Sequence, residues 1–167
     1  MSDDTEYKKQ CLIKGTADEE RYMCFMRTIG YEIEKSEFTE NCKKHIDFRM
    51  HKENGKEYIF DFKGEKEGHD KGENAYSWIE TVNVQGKVGW FLSPHINSLV
   101  FELPDRYILL DVIEMRKDVD RIMSGTEIFS SKPIDNYEFY TRNGRLDKVF
   151  MMPISHMTRF IIETFYK

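Results

Sequence analysis

The sequence lacks several features that would assign it to a class at once. No apolar run approaches the roughly 20 residues needed to cross a bilayer, and the polar opening "MSDDTEYKKQ" has no apolar core of a secretory signal. Cysteine is scarce and odd in number: Cys11, Cys24 and Cys42 have neither CxxC spacing nor histidine pairing. Such a set suits reduced thiols in a cytoplasm-like compartment rather than disulfides or structural zinc. Positive charge is not in excess either. A formal net charge of -5 and a pI near 5.6 argue against tight, non-specific binding by phosphate neutralisation. They leave room for an acidic site at which metal ions carry the positive charge. No repeat, low-complexity tract or domain linker interrupts the chain.

What is present suits one domain over residues 1–167, with 40% hydrophobic, 14% aromatic and 33% charged residues. Residues 1–13 are expected to form a flexible or extended arm. Residues 14–36 read as a helix, with Thr16 and Glu19 as a capping box and Tyr22, Phe25, Met26 and Ile29 as its apolar stripe. Gly30 suits the C-terminal cap. Glu19 lies at the stripe's edge, where it serves equally as a cap or as a carboxylate beside the core.

"HIDFRM" (45–50) and "KEYIFDFKG" (56–64) alternate as the strands of a hairpin. A two-residue Asn54-Gly55 turn would set Asp47 opposite Phe62. A three-residue loop, Glu53-Asn54-Gly55 with Gly55 left-handed, sets Asp47 opposite Asp61 and His45 opposite Lys63. Only the second keeps Ile46, Phe48, Tyr58, Phe60 and Phe62 on one face, and a one-residue slip scrambles both faces; the three-residue loop is therefore expected. Residues 64–74 read as a charged loop and 75–84 as a third strand. A short strand "WFLSP", a longer one "NSLVFELP", and a strand turning helical at 112–123 follow. A second hairpin is expected around Asn143-Gly144, then a closing amphipathic helix from Ser155. The order indicates α/β with a mixed sheet, and Trp78 and Trp90 are expected in the core.

This arrangement makes Glu19, Asp47, Asp61 and Lys63 converge. Like charges placed opposite each other destabilise a sheet, and close carboxylates perturb each other unless a cation sits between them. Hard oxygen ligands suit Mg²⁺, with Mn²⁺ able to substitute. Such an ion polarises a phosphoryl oxygen and lowers the pKa of bound water, while a nearby ammonium stabilises developing negative charge. The histidines have no ligand-like spacing, although His45 shares the polar face.

Asp47, then Asp61-Phe62-Lys63 at the end of the next strand, after a helix bearing Glu19, resembles the PD-(D/E)xK nuclease superfamily with its restriction-endonuclease-like fold. Ile46 stands where proline is common, and Asp61 where glutamate is. The wording "HIDFRM…YIFDFKG…YSWIETVNVQGKVGWF…YTRNGRLDKV" is also similar to small nuclease-like proteins of phages and other viruses. The resemblance implies a restriction-endonuclease-like core with a mixed central β-sheet flanked by helices. It implies metal ligation by Asp47 and Asp61, a catalytic amine at Lys63, an auxiliary acid at Glu19 and a further polar site residue at Glu80. The implied activity is Mg²⁺- or Mn²⁺-dependent DNA hydrolysis, including structure-selective cutting of the junction-resolvase kind, in a host cytoplasm or nucleoid. Symmetric cutting would require a two-fold dimer.

Tyr140, Arg142, Arg145 and Lys148 surround the second hairpin's turn, where they could reach a phosphate backbone or stack on a base; a merely solubilising loop explains them equally well. Two other functions fit the same residues: a non-catalytic module binding nucleic acid or a host protein, and an RNA-cleaving viral endonuclease.

Overall fold

A computed structural model describes residues 3–52, 55–64, 76–123, 139, 141 and 144–167. The first helix, α1 (Asp3–Thr28), begins before the expected arm ends. The segment preceding Thr16 is thus helical rather than extended, and the Thr16–Glu19 pair lies inside a helix instead of capping one. Nothing before Thr16 breaks a helix except Gly15, which an interior position tolerates at modest cost. At the other end Gly30 takes φ 90°. Its N–H donates to Arg27 O and that of Tyr31 to Met26 O, the paired bonds of a Schellman stop.

Beyond it come β1 (Glu32–Lys35), α2 (Phe38–Lys44), β2 (Phe48–His51) and β3 (Glu57–Lys63). The β2–β3 hairpin has the expected register: Phe48 pairs with Phe60, Met50 with Tyr58 and His51 with Glu57. Lys52 N–H donates to Lys56 O at the hairpin's mouth, and Gly55 has φ 78°.

β4 (Tyr76–Val82), a 3₁₀ turn at Trp90–Leu92, β5 (Ser98–Glu102), β6 (Arg106–Asp111) and α3 (Val112–Met123) follow. The chain closes with β7 (Lys148–Pro153), α4 (Ile154–Met157), a 3₁₀ turn at Thr158–Phe160 and β8 (Ile161–Tyr166). The protein is α/β with a mixed six-stranded sheet, order β1-β2-β3-β5-β6-β8. Only β3 and β5 pair in parallel.

Three expectations fail here, and a fourth lies mostly outside the described residues. β4 is a strand, but it leaves the main sheet and pairs with β7 in a two-stranded one, because β5 occupies the edge of β3. "WFLSP" is a 3₁₀ turn, not a strand. The second hairpin's first arm lies mostly outside the described residues, and its second arm, β7, takes β4 as partner. The closing helix lasts four residues. "IIETFY" is rich in β-branched and aromatic residues and fills the free edge of β6.

Alternation along the strands divides the core by face. Phe48, Phe60, Phe62, Val100 and Tyr107 pack under Tyr22 and Met26 of α1. Leu99, Phe101, Ile108 and Leu110 face the opposite layer, with Met115 of α3, Ile79 of β4 and Phe150 of β7. Ile46 belongs to that second cluster, not beside Phe48, since the strand begins only at Phe48. Ile29, assigned to the helix stripe, is exposed. Among the described residues no helix is long and apolar enough to cross a membrane.

The hairpin's register depends on Gly55. Open space surrounds the position a Cβ would take, so Gly55→Ala should cost only the left-handed backbone strain, about 1–2 kcal/mol. Gly55→Asn should cost less, because Asn tolerates this conformation. Urea melts of the three chains check this; equal stability of all three would show that the loop does not constrain the hairpin.

Candidate active site

Asp47 sits just outside β2. Its N–H donates to Phe60 O (2.9 Å) and its O accepts from Ser36 N–H (2.8 Å), so its backbone is tied to both neighbouring segments. The side chain is buried. Oδ2 accepts from Phe62 N–H at 2.7 Å, and Oδ1 accepts from the Asn41 amide of α2.

Asp61 is opposite Leu99 and Lys63 opposite Phe101 in the β3–β5 ladder, which puts both on the face away from α1. Lys63 Nζ lies 2.5 Å from Asp61 Oδ2. That oxygen is buried and has no partner in hydrogen-bonding geometry; the contact is an ion pair without alignment. On its other side the ammonium stands 4.5 Å from the centre of the Trp90 ring. Asp47 and Asp61 are close enough for each carboxyl to shift the pKa of the other.

The electrostatics follow from this crowding. Burial, then the Asp61 charge, push Asp47 up to about 7, against the pull of Lys63 and the Phe62 N–H. Burial also raises Asp61, with Lys63 opposing and Glu80 adding to the rise. Burial lowers the Lys63 pKa, but the Asp61 and Asp47 carboxylates outweigh it and the net shift is upward. Both carboxyls are thus pushed toward the protonated form, while Lys63 is held in its charged form beside Asp61.

Of the residues singled out by sequence, Asp47, Asp61 and Lys63 come together. Glu80 acts on both Asp61 and Lys63, although it arrives from the two-stranded sheet. Glu19 instead pairs with Lys35 of β1 at 2.8 Å, on the helix covering the opposite face. Among the described side chains of α1 the buried acid is Asp18, one helical turn before Tyr22 on the buried side. Its carboxylate packs so closely on Gly64 that an added Cβ would come within 2.6 Å of it. His45 does not face Lys63. It ends α2 in the left-handed region, φ 58°, and its Nε2 is 3.3 Å from Val88 O. Arg145 is exposed, and Lys148 opposes Val82 at the start of β7. Tyr140 and Arg142 lie outside the described residues, as do residues 65–75 of the charged loop.

Asn41 and Trp90 contribute to the site without having been expected there. Trp90 was assigned to the core, where it is indeed buried; nothing in its local sequence reveals that its ring faces a lysine. No family model, curated protein or solved structure matches the chain.

The donor set fits a small hard cation. Two buried carboxylates converge, and one oxygen lacks a hydrogen-bond donor. Among the described residues no group of three or more His, Cys, Asp or Glu side chains forms a cage; Mg²⁺ commonly uses only one or two carboxylates, with water and substrate phosphate completing its shell.

Asp47 makes stability pH-dependent with a definite sign. Between the ordinary aspartate value near 4 and about 7, the folded chain holds a proton that the unfolded chain has released. Stability therefore falls as pH rises through that window. At lower pH Glu102 acts in the opposite sense. Burial pushes its carboxyl up, but hydrogen bonds from Lys167 and Arg21 outweigh this and hold it low, so stability is lost as it protonates. In chelator, Tm should decline from pH 5 to pH 8, and Asp47→Asn should flatten that decline; an unchanged slope would contradict the assignment.

Proposed function

We propose that the chain is a metal-dependent nuclease hydrolysing DNA phosphodiester bonds on a restriction-endonuclease-like core. The observation that carries this reading is the buried meeting of Asp47 and Asp61 beside Lys63. A sheet gains nothing by burying two acids so close together, and one ammonium leaves them, with Glu80, net negative. The topology supports it as well. α1 is followed by three antiparallel strands, Asp47 stands at the mouth of the middle one, and Asp61-Phe62-Lys63 ends the third. After α1 the strands β1, β2 and β3 pair antiparallel in turn, with α2 inserted between β1 and β2 and β1 rather than β4 completing the three.

Asp47 and Asp61 would hold Mg²⁺ or Mn²⁺, which when bound polarises a phosphoryl oxygen and acidifies coordinated water. Asn41 and the Phe62 N–H fix the Asp47 carboxylate so that it cannot swing away. Lys63, whose side chain is 28% exposed, is reachable by substrate. Its ammonium orients a nucleophile and stabilises charge developing on the phosphate. Glu80 strengthens the field that keeps Lys63 protonated. Arg145, exposed at the surface, is a cation available to the phosphate backbone.

A second reading, a non-catalytic module on the same scaffold, draws support from the Asp61–Lys63 ion pair and from the burial that favours a protonated Asp47. Each lowers the cluster's negative charge. Calorimetry with Mn²⁺ separates the two. The nuclease should bind one or two ions, and neither Asp47→Asn nor Asp61→Asn should. A cleavage screen on linear, nicked, single-stranded and four-way-junction DNA, plus RNA, should then show Mn²⁺-dependent cutting of a DNA form. Lys63→Ala should slow it by about 100- to 1,000-fold without loss of fold. Wild-type cutting by that variant would refute the role of Lys63, and a preference for RNA would favour a ribonuclease.

A further inference from the structure

We propose that Trp90 is a positioning residue for Lys63, its indole face and the Asp61 carboxylate together fixing where the ammonium sits. A lysine side chain has four rotatable bonds and an undirected charge, so one carboxylate at 2.5 Å leaves it free to pivot about that contact. The Trp90 ring, 4.5 Å away, supplies a second point of attachment. Tryptophan offers the strongest aromatic face for a cation, and this distance is well within the effective range.

The turn that carries the indole is fastened from three directions. Gly89 N–H donates to Thr81 O (2.9 Å) on β4. Arg116 of α3 donates from Nε to Phe91 O (2.6 Å) and from its guanidinium to Ser93 O (2.7 Å). The Ser93 hydroxyl donates to Lys44 O (2.5 Å) at the end of α2. Gly89 is packed so tightly on β4 that an added Cβ would come within 2.4 Å of Glu80 O. The same strand therefore places the Glu80 charge and seats the turn, and the same α2 that clamps Asp47 through Asn41 also anchors Ser93. Trp90 packs within the apolar cluster, edge-on to Phe91, and also turns its face to a charge.

The consequence for catalysis rests on the nuclease reading, whereas the placement of the ammonium can be tested separately. In NMR spectra of the wild type, the Lys63 ε-methylene protons should lie upfield of the other lysines through the indole ring current. Trp90→Leu should abolish that shift, and Trp90→Phe should keep part of it. In cleavage assays Trp90→Leu should lower kcat by about 10- to 100-fold, the penalty for a misplaced catalytic group, with KM for DNA nearly unchanged. Trp90→Phe should recover most of the rate. An unshifted Lys63 in a wild type that cuts DNA would overturn the inference and leave the nuclease reading standing. Equal kcat in Trp90→Leu and wild type, or no recovery in Trp90→Phe, would likewise overturn it. A shifted Lys63 in a chain that neither binds Mn²⁺ nor cuts nucleic acid would sink the nuclease reading and leave the ammonium–indole contact intact.

Discussion

Phe48 faces Phe60 across the β2–β3 hairpin, and that pairing decides which side chains share a face. Because side chains alternate along a strand, the aromatic row facing α1 obliges Asp61 and Lys63 to face the other way, with Asp47 held beside them. Tyr22 secures the aromatic row through ring contacts with Phe48, Phe60, Phe62 and Tyr107, at centroid separations of 4.9–6.0 Å. Each such pair contributes about 0.5–1.5 kcal/mol. The register is therefore strongly fixed on one face, and the fold can tolerate on the other a pair of acids that repel. Local rules of this kind are broken mainly where function needs it.

The two aspartates have different surroundings, and the difference gives the cluster its direction. Asp47 is clamped by Asn41 and the Phe62 N–H, yet burial still raises its pKa to about 7. Asp61 has the ammonium but leaves one buried oxygen without a hydrogen-bond donor. On the nuclease reading a bound cation would take the place of a proton on this pair, because it would relieve the same repulsion. Asp47 is thus held by hydrogen bonds, and Asp61 by the charge of Lys63 at its buried Oδ2.

Much of this was legible in the sequence where local alternation and turn chemistry acted alone. The register followed from the aromatic row and Gly55, and α3 was foreseen over the residues it occupies. Failures came where a distant partner decided the outcome. "IIETFY" can satisfy a helical pattern, but β6 had a free edge and took it as β8. β4 reads as a sheet strand, yet which sheet depends on β5 already occupying the edge of β3. On α1 the choice of Glu19 rested on Phe25 and Ile29 widening the apolar stripe. The buried line is instead Asp18, Tyr22 and Met26, at steps of four, so spacing back from Tyr22 could have found Asp18. Trp90 carried no local signal, since its meeting with Lys63 joins residues 27 positions apart through a turn fastened by α2, α3 and β4.

The most direct measurement is a set of thermal melts on the wild type, Asp47→Asn, Asp61→Asn and the double variant, with and without Mn²⁺ at neutral pH. If the two carboxylates share one buried space, either single substitution relieves the same repulsion. Asp47→Asn should then be more stable than the metal-free wild type. Asp61→Asn should gain less because it also strips Lys63 of its partner, and the double should not equal the sum of the singles. Mn²⁺ should raise Tm only in the chain that keeps both acids. Additive single effects, or Mn²⁺ stabilisation that survives either substitution, would mean that Asp47 and Asp61 do not form one site.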